Sequence, residues 1–155
     1  MKASDHPHNH QDCIKLALSQ ANALCAEKNI RFTPLRQRVL ELLWSSHKAA
    51  KAYDILHTLQ QEDKSAKPST VYRTLDFLQE LKLAHKIDSL NAYVGCLHPE
   101  EGHNCQFMIC RNCETVQESC DSSVFKAITE SAQKLHFIVE RQMIEVHGLC
   151  ANCQL

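Results

Sequence analysis

Two pairs of cysteines carry the clearest chemistry in this sequence. Cys110 and Cys113 are separated by two residues, and Cys150 and Cys153 repeat that spacing after a long connector. A short turn between paired cysteines can aim both sulfurs at one ion. Two such pairs supply the four thiolates of a tetrahedral structural zinc. Binding closes the connector into a loop and adds directly to folding free energy. The competing reading is two separate redox Cys-x-x-Cys motifs, but neither pair opens a helix after a strand as a thioredoxin-like site does. A structural zinc held by Cys110, Cys113, Cys150 and Cys153 is therefore expected.

A second set of residues suits nucleic acid. Pro68 and Ser69 open an apolar repeat of Val71, Leu75, Leu78 and Leu81, which predicts a helix. Its opposite face shows Ser69, Tyr72, Arg73 and Asp76. An exposed aromatic beside an exposed arginine in the first turns is unusual for a face with a purely structural role. Arg73 is expected to read a guanine edge, against the alternative of a solvated ion pair with Asp76 or Glu80. Tyr72, and Tyr53 at the start of the preceding helix, could pack on thymine methyls, sugar or phosphate. Ser69 and Thr70 sit where hydroxyls and free backbone N–H groups meet phosphate.

These residues need elements to position them. Ile14, Ala17, Leu18, Ala21, Leu24 and Cys25 have helical spacing from Asp12 onward. Thr33 before Pro34 is a cap and a first-turn proline, opening a second helix to about residue 46. A third covers about 52–61, with Ile55, Leu56 and Leu59 inward. After the fourth come strand-like runs at about 84–88 and 92–97, joined by Ser89, Leu90 and Asn91. Helices followed by a β-hairpin are the pattern of a winged helix-turn-helix domain, whose recognition helix enters a major groove.

Beyond residue 98 the character changes. Residues 98–104 read as a hinge loop, and 107–110 and 115–118 as short strands. Ser122 or Ser123 caps a helix with Val124, Phe125, Ile128, Ala132 and Leu135 inward, and a further strand falls within 137–147. The predicted class is α+β. Its parts are a flexible tail at 1–11, a winged-helix domain at 12–97, the hinge at 98–104, and a small α/β dimerisation domain at 105–155. The last part exposes a sheet edge and an apolar helix face, and a second copy is the simplest cover for both.

Composition narrows the function classes. The chain has 155 residues, 44% of them hydrophobic, enough for one large domain or two small ones. No apolar run is long enough to span a membrane, and the polar, His-rich start is unlike a signal peptide. Nine cysteines, four of them reading as metal ligands, favour a reducing cytoplasm over a disulfide framework. Cys13, Cys25 and Cys120 read as structural or surface thiols, and His6, His8 and His10 as part of the tail. Residues 1–87 hold 13 Lys and Arg against 9 Asp and Glu, and residues 88–155 hold 4 against 9. Only the first half suits a polyanion. There is no Gly-rich phosphate loop and no Ser-centred nucleophile elbow.

With these motifs in place, the chain resembles the ferric uptake regulator family, and within it the branch that senses zinc. The matching stretches are Arg31-Phe-Thr-Pro-Leu-Arg-Gln-Arg-Val-Leu40, Ala52-Tyr-Asp54, Lys67-Pro-Ser-Thr-Val-Tyr-Arg-Thr-Leu-Asp76, His85-Lys86, Ala92-Tyr93-Val94 and the two cysteine pairs. The resemblance implies a dimeric, metal-responsive repressor that binds an inverted repeat in double-stranded operator DNA and controls zinc uptake genes. It also implies a second, regulatory zinc per subunit, held by His85, Cys96, His103 and Glu118 across the hinge. Two imidazoles, a thiolate and a carboxylate are ligand types that suit zinc. His98, Glu101 and Cys105 are alternatives for His103 or Glu118, and His136 and His147 could belong to a further site. His47 and His57 read as surface residues.

Two other readings compete with a zinc-responsive repressor. One is a regulator of the same family sensing peroxide or another metal; a thiolate at Cys96 argues against an iron centre of nitrogen and oxygen ligands alone. The other is a zinc-dependent hydrolytic enzyme, with His85, Cys96 and a carboxylate leaving one position open for water. No general base sits at a recognisable spacing, and the exposed Tyr-Arg face would then have no role. No small-molecule substrate and no membrane partner are expected.

Overall fold

The computed structural model describes residues 10–46, 48–99 and 104–154. His6, His8, His47, Glu101 and His103 lie outside the described residues. Four helices come first: α1 (His10–Glu27), α2 (Pro34–Trp44), α3 (Ala52–Glu62) and α4 (Pro68–Glu80). The helix expected from Asp12 thus already begins at His10, inside the segment read as tail. Thr33 caps α2 as expected, its hydroxyl accepting the Arg36 N–H, and Pro34 occupies the first turn. The apolar stripes meet in one core. Ala17, Ala21 and Cys25 of α1 join Val39, Leu40 and Leu43 of α2, Ile55 and Leu59 of α3, and Val71, Leu75 and Leu78 of α4.

The wing follows as an antiparallel pair, β1 (Ala84–Ile87) and β2 (Ala92–Gly95), with Ala84 opposite Gly95 and Ile87 opposite Ala92. One 3-10 turn over Asp88–Leu90 joins them, and Asn91 closes it in the left-handed region at φ 45°. Asparagine tolerates that conformation because its short amide can bond locally. The backbone of Ala50 pairs with Tyr93, which ties the segment before α3 to the wing. Gly95 is needed for close approach: a Cβ there would run into the Trp44 indole.

The remainder is a three-stranded sheet and one helix. β3 (Gln106–Cys110) is central, antiparallel to β4 (Val116–Ser119) and parallel to β5 (Ile144–Gly148), with α5 (Ser122–Lys134) making the crossover between β4 and β5. The cap of α5 is Asp121, not Ser122 or Ser123; its carboxylate accepts the Ser123 N–H at 2.8 Å. Leu135 also departs from expectation. It is the residue after the helix, 78% exposed, and Phe137 and Ile138 beyond it are exposed too. With Met108, Val146 and Leu149 they leave this lobe apolar on its surface, as a lobe covered by a partner would be.

The wing and the sheet share a small apolar seam. Ile87 of β1 packs with Phe107 and Ile109 of β3, bordered by Leu90, Val94, Val116 and Met143. A polar clasp lies at the wing turn. Glu145 of β5 accepts the N–H of Asp88 at 2.7 Å and of Ser89 at 3.1 Å. Burial pushes its carboxyl up, but the bonds at Ser89 and Asp88 outweigh this and leave it below the ordinary value. Bonds to a charged acceptor contribute about 1 kcal/mol or more each. Losing both bonds removes about 2 kcal/mol, so Glu145→Ala is expected to lower the melting temperature by about 6 °C for a chain of this size, with the far-UV spectrum unchanged; an unaltered melting temperature would show that the clasp contributes nothing.

Candidate metal centres and nucleic-acid face

The four paired cysteines converge. Cys110 ends β3, Cys113 follows in a turn closed by Glu114 at φ 60°, and after β5 Cys150 caps the 3-10 turn that Cys153 ends. The parallel pairing of β3 with β5 brings the ends of both strands to one corner, with Cys110 opposite Gly148. Their sulfurs all lie within 4.8 Å of one another, and those of Cys113 and Cys150 are 3.7 Å apart. Sulfurs about 2.3 Å from a tetrahedral zinc stand about 3.8 Å apart, so the cage has the right size.

The surroundings also fit. The Cys150 N–H points at Cys110 Sγ at 3.4 Å, and the Asn112 amide donates to Cys153 Sγ at 3.3 Å. Backbone bonds from Cys113 and Cys150 bring the Cys110 thiol down to about 6. Cys113 is lowered chiefly by the hydroxyl of Thr115. Burial and the neighbouring sulfurs push Cys150 up to about 11. Four thiols this close cannot all ionise without a cation among them, and a zinc ion held there would supply that charge.

The second cluster joins the two lobes. His85 lies on β1, Cys96 follows β2, and Glu118 lies on β4. His85 Nε2 is 3.2 Å from Glu118 Oε1, and Cys96 Sγ is 3.9 Å from the same oxygen. Nitrogen and oxygen ligands of zinc stand about 3.3 Å apart, which matches the first distance. The Glu118 side chain is 4% exposed and His85 is 12% exposed. Burial pushes the Glu118 carboxyl up; the His85 bond and the Leu97 N–H, which donates to Oε2 at 2.9 Å, outweigh it and hold the group below its ordinary value. The Phe107 ring packs against the His85 imidazole at a tilt of 57°, with ring centroids 5.0 Å apart.

Among the alternatives, Cys105 is not in this cluster but bonded to Cys120 as a disulfide. The reading of Cys120 as a structural or surface thiol is thereby corrected: the antiparallel pairing of β3 with β4 carries the two cysteines to the same rung. Cys25 is buried in the helical core, and burial raises its thiol pKa.

The face of α4 is open. Tyr72 is 51% exposed, Tyr53 at the start of α3 is 74% exposed, and Ser69, Thr70 and Arg73 are exposed as well. Among the described residues Arg73 has no ion pair, so the alternative pairing with Asp76 or Glu80 is not made. The Thr70 N–H, expected free for phosphate, instead donates to Lys67 O at 3.0 Å as the first turn closes. No helix among the described residues is long and apolar enough to cross a membrane.

Fold and sites together define a winged-helix protein with side-chain clusters that could hold metal, among them the four cysteines at one corner of the sheet and a group that bridges the lobes. Residues 27–147 match the model of the ferric uptake regulator family, and the chain belongs to that family. It is 42% identical over 137 residues to the zinc uptake regulation protein of Escherichia coli (strain K12), covering 88% of this chain and 80% of that protein. A solved structure described as a zinc uptake regulator complexed with zinc and DNA superposes with a TM-score of 0.85 at 38% identity, covering 95% of this chain and 96% of the other. Holo XcZur superposes at 0.82 and 37% identity over 91% of this chain and 98% of the other, and its apo form at 0.54 over 93% and 99%. The arrangement of this chain is thus more similar to that of holo XcZur than to that of its apo form.

Proposed function

We propose that this protein is a zinc-responsive transcriptional repressor that binds operator DNA as a dimer and controls zinc uptake genes. The observation that carries it is the meeting of His85 and Cys96, from the wing, with Glu118, from the sheet. A ligand set split between two lobes is satisfied in only one arrangement of them. His103, which the sequence places between Cys96 and Glu118 and which lies outside the described residues, supplies the fourth ligand in this reading. A zinc ion bound there adds a crosslink between wing and sheet. His85, Cys96 and Glu118 then favour the arrangement that closes them, and the population shifts towards it. The two recognition helices of a dimer must sit about one turn of DNA apart to read both half-sites, so fixing this angle is a route to control. DNA binding in turn tightens zinc binding.

Cys110, Cys113, Cys150 and Cys153 hold the structural zinc in this reading, giving two per subunit. The apolar surface around Met108, Val146 and Leu135 is covered by the second copy. Similarity to the zinc uptake regulation protein supports the choice of metal, and Cys96, a soft ligand, supports it independently. The enzyme reading falls with membership of a family of regulators.

The test is DNA binding at buffered free zinc, iron(II) and manganese(II) in turn, with metal content per subunit counted alongside. Zinc alone should support tight binding; equal support by iron or manganese at their own buffered levels would sink the zinc assignment. In the same assay Arg73→Ala should lower operator binding by about 10–100-fold, the range of one bidentate Arg–guanine pair, while random duplex binding and zinc content hardly change. Equal losses on both duplexes would show that Arg73 contacts only the backbone.

A further inference from the structure

We propose that Cys105 and Cys120 form a third, oxidisable zinc site, which shares Glu118 with the hinge cluster. The argument begins with strand register. β3 and β4 pair Phe107 with Glu118 and Gln106 with Ser119. The next rung in that ladder is Cys105 with Cys120, whose Cα atoms are 4.0 Å apart. Successive side chains of a strand alternate between faces. Cys105 and Phe107 therefore share a face with Cys120 and Glu118, the face on which Phe107 meets His85 of the wing. The two sulfurs are neighbours because the backbone pairs, not because a bond joins them. Reduction of the disulfide leaves them side by side.

Glu118 links this pair to the hinge. Cys120 Sγ is 3.8 Å from Glu118 Oε1, the oxygen that also lies 3.2 Å from His85 Nε2 and 3.9 Å from Cys96 Sγ. A ligand atom from each of Cys105, Glu118 and Cys120 falls within 4.8 Å of the others. Two thiolates and a carboxylate are a zinc set, with water completing it. The same sulfurs in a disulfide are neutral and are no longer thiolate ligands. The state of the pair thus decides whether Glu118 is divided between two ions or serves the hinge alone.

The conversion balances with a peroxide as oxidant. Cys120 is exposed and Cys105 buried, so Cys120 is the thiolate that attacks the peroxide O–O bond. It becomes a sulfenic acid, and the departing oxygen leaves as water once protonated. The Cys105 sulfur then attacks the sulfenic sulfur, the S–S bond forms, and a second water departs. The sulfurs lose two electrons, the peroxide gains them, and the zinc dication returns to solvent. A dithiol reductant reverses the change by thiol–disulfide exchange. Oxidation releases Glu118 to the hinge and so favours the zinc-closed form.

The proposal rests on the hinge reading only through Glu118, and the test separates the two. Zinc per subunit is counted in dialysed full-length protein in two states, fully reduced and with the Cys105–Cys120 disulfide confirmed by alkylation and peptide mapping. Reduced protein should hold one more zinc than the disulfide form. Reduced Cys120→Ser and reduced Cys105→Ser should each match the disulfide form. Equal counts in both states of the natural protein overturn the site. At chelator-buffered zinc, the free-zinc midpoint for DNA binding should be about tenfold higher in the reduced protein than in reduced Cys120→Ser, the scale on which perturbed ligand support alters metal affinity. An extra zinc with identical midpoints overturns the sharing of Glu118. If Cys96→Ala keeps the normal zinc response while the redox-dependent zinc persists, the hinge reading fails and the dithiol site stands.

Discussion

Cys96→Ala is expected to raise the free zinc needed for DNA binding by about 100-fold or more, while the dimer stays folded and keeps its four-cysteine zinc. Altering groups that merely support a ligand costs metal affinity about 10–100-fold, and removing a thiolate ligand should reach at least the top of that range. A factor of 100 is about 2.7 kcal/mol, enough to return the population to the open arrangement. The fold should tolerate the change. Cys96 sits just past β2 at the edge of the seam, and its backbone N–H donates to Leu83 O independently of the side chain. A titration of labelled operator duplex at chelator-buffered zinc, with metal content measured on the same sample, decides it. A midpoint unchanged from the natural protein would remove Cys96 from the site.

Cys113→Ser should act on the fold instead. Structural zinc binding contributes about 10–16 kcal/mol in small zinc domains, against about 5–15 kcal/mol for the whole stability of a typical protein. The C-terminal lobe has little to set against losing it. Among the described residues its buried apolar cluster is Ile87, Phe107 and Ile109, and one of the three belongs to the wing. We expect this lobe to lose its structure and the protein its dimer. The helical lobe should survive, because its core runs through α1 to α4 and the wing without using the sheet. Light scattering after size exclusion should therefore show no dimer, while far-UV circular dichroism keeps most of its helical signal. A zinc-replete Cys113→Ser dimer would show that the cage is not needed for folding. Cys150→Ser should behave alike, since its sulfur lies 3.7 Å from that of Cys113.

Much of this architecture can be read from local rules. Thr33 with Pro34, and Pro68 with the Val71, Leu75, Leu78 stripe, are signals within one helical turn, and the helices start where those rules place them. The four-cysteine cage is legible for a similar reason: a Cys-x-x-Cys turn is complete in four residues, and only the meeting of two turns needs the fold. The exposed pair Tyr72 and Arg73 follows from helical periodicity alone. By contrast, the α5 cap fell one residue early, because Asp121 competes with two serines for the same role. Leu135 continues the apolar spacing but lies past the last turn, where no periodicity holds it inward.

The residues alone carry the helices with their core and the paired-cysteine pattern, while the hinge set of His85, Cys96, His103 and Glu118 comes from the family resemblance. Which distant residues meet is left to the packed fold. Glu118 meets His85 and Cys96 because β4 faces the wing across the seam. Glu145 reaches the wing turn because β5 runs parallel to β3. Cys105 finds Cys120 because one strand register out of several aligns them, and shifting a strand by one residue would turn them to opposite faces. Spacing along the chain encodes contacts within a turn or two of helix. Strand order, crossover and register depend on the free energy of the whole packed chain, and no local pattern records them.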